Sequence, residues 1–93
     1  MTQVAEGVIV TPAALTQLVV RAAEQVDGVR VRLPLPRRRI EFRDGSVTLE
    51  LTVRYGLVLP DVAREVQRSV CEALSGMMGL QVNAVDVSIE ELE

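Results

Sequence analysis

Hydrophobic and polar positions alternate along the stretch from Val47 to Tyr55. Val47, Leu49, Leu51, Val53 and Tyr55 fall on one side, and Thr48, Glu50, Thr52 and Arg54 on the other. A period of two marks a strand with one buried face. Just upstream, Arg43-Asp44-Gly45-Ser46 sets an Asp-Gly pair between two alternating segments, which predicts a two-residue hairpin turn. That turn dictates a register in which Arg43 faces Ser46, Phe42 faces Val47, Ile40 faces Leu49 and Arg39 faces Glu50. Apolar residues then meet apolar ones, and the last pair joins opposite charges.

Two other stretches follow the helical period. Within Pro12–Val26, Leu15, Leu18, Val19, Ala22, Ala23 and Val26 form one stripe. Thr11 is placed to cap this helix, Pro12 suits its first position, and Asp27-Gly28 closes it. A second helix opens at Pro60-Asp61 and buries Val62, Val66, Val70, Ala73, Leu74 and Met77, with Gly76 and Gly79 at its end. Its Gly76-Met77-Met78-Gly79 formally matches a GxxG nucleic-acid clamp, but apolar middle residues and a following strand make it a helix-terminating turn. Shorter strands are expected at Gly7-Val8-Ile9-Val10, at Val29, Val31 and Leu33, and at Val85, Val87 and Ile89. Pro34 and Pro36 stop the second of these.

The predicted order is β-α-β-β-β-α-β. One sheet face is apolar and the other is polar with mixed charge, as in a mainly antiparallel sheet wetted on one side. Both helical stripes must bury themselves, and the apolar sheet face is their partner. The expected fold is an α+β two-layer sandwich with two helices on one face of the sheet. It spans residues 1–93 as a single domain.

Composition narrows the chemistry. Apolar residues make up 48% of the chain and charged residues 25%, with a net charge of −3 and no histidine. The lack of histidine removes the commonest neutral-pH base and metal ligand. The single cysteine, Cys71, excludes an internal disulfide, fits a reducing cytoplasm and has no imidazole to activate it. Glu90, Glu91 and Glu93 read as a solvated tail. No enzyme, metal or cofactor is therefore expected. The opening Met1-Thr2-Gln3-Val4-Ala5-Glu6 lacks the basic and apolar regions of a secretory signal. No apolar run approaches the ~18 residues of a membrane span.

All ten basic residues are arginine, the residue suited to forked, bidentate contacts. Arg37-Arg38-Arg39 is the densest charge run. As a solvated strand start it keeps an edge soluble. With Arg30, Arg32 and Arg54 on the outer sheet face it forms a candidate partner-binding surface. Glu41, Glu50, Asp86 and Glu90 dilute its field, which points to a protein surface and argues against nucleic acid. An RNA- or anion-binding module on this arginine face is the alternative. Leu57 and Val58 crowd a loop without an evident core position and join the candidates.

The strand Val47-Thr48-Leu49-Glu50-Leu51-Thr52-Val53-Arg54-Tyr55-Gly56 is followed by Leu59-Pro60-Asp61-Val62 and Glu65-Val66-Gln67. Val26-Asp27-Gly28-Val29 precedes it, and Met78-Gly79-Leu80-Gln81-Val82 leads into Val85-Asp86-Val87. In order and spacing these segments resemble the bacterial alkaline-shock-protein family of envelope stress response proteins, over nearly the whole chain. The resemblance implies a small cytoplasmic, non-catalytic module. Such a module docks on a membrane-anchored protein partner at the inner face of the membrane and self-associates as a homo-oligomer. The segment after Val29 is short where many members carry a longer glycine-rich loop, and the charged tails common in the family are missing.

Overall fold

The structure, a computed structural model, describes residues 2–5, 8–33 and 39–92. Strands β1 (Thr2–Ala5) and β2 (Val8–Val10) pair antiparallel as a separate hairpin, with a register shift between Gln3 and Ala5. Only the second of these is expected from the sequence; Gly7, its predicted start, lies outside the described residues. Helix α1 (Pro12–Glu24) begins as the sequence dictates. The Thr11 hydroxyl accepts the Ala14 N–H at 3.1 Å and Pro12 fills the first turn. The helix stops two residues before Val26. The chain then turns through Val26, whose carbonyl accepts the Val29 N–H, and through Gly28 at φ +80°.

Strand β3 (Val29–Arg32) follows, then β4 (Phe42–Arg43), β5 (Ser46–Arg54), α2 (Leu59–Met78) and β6 (Ala84–Leu92). The predicted order of two helices and five strands is present, preceded by β1. The Asp44-Gly45 turn has positive φ at both residues, +52° and +76°, the twist that a tight hairpin requires. It holds Phe42 opposite Val47 and Arg43 opposite Ser46.

Beyond Phe42 the register departs from expectation. Glu50 faces Arg32 of β3, not Arg39. One edge of β5 has room for a single neighbour at each position. β3 takes it from Val53 to Glu50, so β4 is confined to two residues. Ile40 is displaced from its place opposite Leu49 but stays buried, because its N–H donates to the buried Thr16 hydroxyl of α1 at 2.9 Å. Residues 34–38, including Pro34, Pro36, Arg37 and Arg38, lie outside the described residues.

The other edge of β5 carries β6 in an unbroken nine-residue parallel register, from Ser46 opposite Ala84 to Arg54 opposite Leu92. Two of the three pairings in this sheet are thus antiparallel. The parallel one is the crossover that a strand-helix-strand unit makes. Val47, Leu49, Leu51 and Val53 turn inward and are fully buried or nearly so. Val62, Val66, Val70 and Leu74, four residues apart on α2, meet them along with Leu15, Val19, Ala22 and Ala23 of α1. α1 lies over β3 and α2 over β6. The two helices are joined where the Ser69 hydroxyl donates to the Ala22 carbonyl at 2.7 Å.

Two residues assigned to this face by period are solvent-exposed. Tyr55 is 66% exposed because the strand ends at Arg54 and the chain turns. Met77 is 78% exposed although it continues the α2 stripe. The last turn overhangs the sheet: a Cβ on neighbouring Gly76 would meet nothing within 4 Å. Gly76 lies inside the helix, and Gly79 alone closes it, at φ +66° with its N–H on the Leu74 and Ser75 carbonyls.

Replacing Thr16 by valine keeps the shape but strands the Ile40 N–H. We expect a loss of about 1–3 kcal/mol in urea unfolding, whereas Thr16→Ser should cost distinctly less.

Candidate functional site

The outer sheet face is built by alternation. Inward side chains at odd positions of β5 leave Thr48, Glu50, Thr52 and Arg54 outward, and cross-strand pairing brings others beside them. Arg30 and Glu90 flank Thr52, Arg32 and Ser88 flank Glu50, and Asp86 stands next to Thr48. Arg30, Arg32 and Arg54, named from sequence as partners on one face, are therefore together.

Each has a carboxylate. The Arg32 guanidinium crosses β5 to donate to Glu90 at 3.1 Å. Arg54 reaches Asp27 at 3.5 Å, and Arg30 lies 3.8 Å from Glu24. The second oxygen of Glu24 accepts the Val31 N–H at 3.0 Å, so this side chain also closes the free edge of β3. Exposed pairs of this kind are worth about 0–1 kcal/mol each, but they make the face an alternation of signs rather than a cationic field. Arg39 is exposed beside the buried Ile40, outside the described pairings, and Arg37 and Arg38 lie outside the described residues.

At the end of this face, where β3 begins and β5 stops, is an open depression of about 620 Å³. Asp27, Gly28, Val29, Arg30, Thr52, Arg54 and Tyr55 line it. Its wall depends on Gly28. The Gly28 carbonyl accepts the Arg54 N–H at 3.0 Å, which ties the turn to the end of β5. A Cβ at Gly28 would come within 2.8 Å of the Leu57 side chain and 3.4 Å of the Arg54 Cβ. Leu57 is thus half-buried against the turn and supports it. Val58, at the cap of α2, is 62% exposed and belongs to the surface.

Asp27, Thr52 and Tyr55 are not singled out by the sequence pattern. Tyr55 is hidden by its odd position, which assigns it to the core; the Tyr-Gly step after the last alternating pair is the signal that the sheet has ended. The depression offers an aromatic face, two guanidinium groups, two hydroxyls and one carboxylate already held by Arg54. Groups of these kinds are suited to contacts with another surface. Among the described residues, no three histidine, cysteine, aspartate or glutamate side chains are grouped to hold a metal ion.

Gly28→Ala is expected to cost about 1–2 kcal/mol in chemical denaturation, mainly from placing an L-residue at φ +80°. The Leu57 methyl sits at the end of a rotatable side chain and yields more cheaply. A cost of only a few tenths would show that the turn is not held as described.

The model of the alkaline shock protein family, described as having a cell envelope-related function, matches residues 39–93. No curated protein matches the chain. Among solved structures, the MamM CTD in a copper form shares the fold at 24% identity, with a TM-score of 0.54. The match covers 87% of this chain and 86% of that one. A zinc form of a variant of the same domain matches at 24% identity and a TM-score of 0.55, with the same coverage. At this identity the likeness is one of fold.

Proposed function

The chain belongs to the alkaline shock protein family, of cell envelope-related function, and from that premise we propose that it is a non-catalytic docking module for a protein partner. The docking surface is the depression and its rim: Arg30, Arg32, Arg54, Tyr55 and Val58. Arg37, Arg38 and Arg39 are added as further candidate contacts on the ground of their charge. The partner is a membrane-anchored protein, and the module works on the cytoplasmic side of the envelope in its response to stress. Among the described residues no helix is long and apolar enough to cross a membrane, and the partner supplies the attachment.

The observation that carries this reading is the exposure of Tyr55 in the depression that also holds the Arg54–Asp27 pair, with Val58 exposed three residues further along the chain. Tyrosine and arginine are the residues most enriched at the energetic centres of protein interfaces. A guanidinium held by a single carboxylate at 3.5 Å keeps donors free for a partner's acceptor. The arginine face as a polyanion site is less well supported, since Arg30, Arg32 and Arg54 each already have an acid nearby.

The test is a photoreactive amino acid placed at position 55 in the native cell. A cross-link to a membrane protein is expected. In the purified complex, Tyr55→Ala and Arg54→Glu should each weaken binding by about tenfold or more while leaving the melting temperature nearly unchanged. Equal capture by wild type and both variants would overturn the proposal, as would recovery of the chain only in soluble form with no membrane partner.

A further inference from the structure

The two edges of the main sheet are treated differently. On the β3 and β4 side, α1 closes the backbone: Glu24 accepts the Val31 N–H and Thr16 the Ile40 N–H. On the β6 side it does not. The Ala84 N–H points to the Gly45 carbonyl, toward β5. By alternation the even residues of β6 serve the ladder, and Val85, Val87, Ile89 and Glu91 turn their backbone groups outward. The Val85 carbonyl confirms that direction, since it accepts from the Gln67 side chain at 3.0 Å. Among the described residues, the outward groups of Val87 and Ile89 have no partner. Val85 to Ile89 contains no proline, no lysine and no bulge; the charges that blunt the edge are Asp86 and, at the end of the strand, Glu90 and Glu91.

We propose that the free edge of β6 accepts an extended segment of the protein partner as an added strand, and that this segment alternates apolar with basic residues. The proposal rests on the docking reading and names the chemistry of what docks. Side chains on β6 determine that chemistry. Val85, Val87 and Ile89 form an apolar row on the inner face, and Val87 and Ile89 are only half-buried. Asp86 and Glu90 are exposed acids on the outer face, Glu91 is an exposed acid at the end of the inner row, and among the described residues only Glu90 has an arginine, Arg32. A neighbouring strand with apolar side chains inward and arginine or lysine outward continues the first row and supplies countercharge to the second. A second copy of β6 would bring three more acids and no base to the seam, so it is the poorer occupant. The end of β6 lies level with the depression, because Thr52 and Arg54 lie opposite Glu90 and Leu92. One partner segment then reaches both surfaces, the mode in which main-chain bonds give affinity and side chains give specificity.

The experiment is residue-resolved amide exchange on the intact chain, with a short synthetic peptide in which arginine and valine alternate. In the free chain, the Val87 and Ile89 amides should exchange faster than those of Asp86 and Ser88. Saturating peptide should slow them by about tenfold or more. Asp86→Lys, on the exposed face, should weaken peptide binding about fivefold, and a glutamate–valine peptide should not bind. Two results overturn the proposal: no added protection at Val87 and Ile89 under saturating peptide, or protection that rises with chain concentration alone, which assigns the edge to a second copy. If protection fails while cross-linking through position 55 persists, the strand proposal falls and the docking reading stands. If that cross-linking fails as well, both fall.

Discussion

One strand consumes nearly every interaction that a backbone can offer. β5 gives one edge to β3 and β4, the other to β6, and its inner face to both helices. Burying a valine or leucine side chain fully is worth about 1.5–3 kcal/mol, and four in succession lie on this strand. Each other element of the main sheet and its helices is positioned through β5. α2 is the crossover that the parallel pairing requires, and α1 is held against α2 by Ser69 and against the β4 approach by Thr16.

The surface follows from that saturation. Because β5 is central and inward at odd positions, its even residues carry the outer face, and the cross-strand neighbours of those residues are fixed with them. Three arginines and their acids come into one field without any of them being buried. The same geometry brings the end of β5 and the turn at Gly28 together, which opens the depression and lifts Tyr55 out of the core. The proposed docking surface lies where the ladder stops, a place that costs the core nothing.

Much of this is legible in the chain. The Asp44-Gly45 turn, the Val47–Val53 alternation and the Thr11-Pro12 start are local signals with one structural solution each, and the structure follows them. The grouping of Arg30, Arg32 and Arg54 comes from the same alternation. What cannot be read depends on competition between distant segments. Arg32 and Arg39 are both suitable opposite Glu50; β3 takes that place, and Ile40 is bonded to Thr16 instead of pairing with β5. The direction of β6 relative to β5 leaves no mark on a period of two. Tyr55 and Met77 keep the right period but pass the end of the surface against which they would pack. The β1 strand carries too short and weak an alternation to stand out.

The central claim is that β5 is the last element to open. Amide exchange across the chain under native conditions measures this directly. The amides from Val47 to Val53 should exchange most slowly of all, with opening free energies equal to that of global unfolding. Exchange at any of these positions through a smaller opening, while α1 or β3 remains protected, would contradict the account.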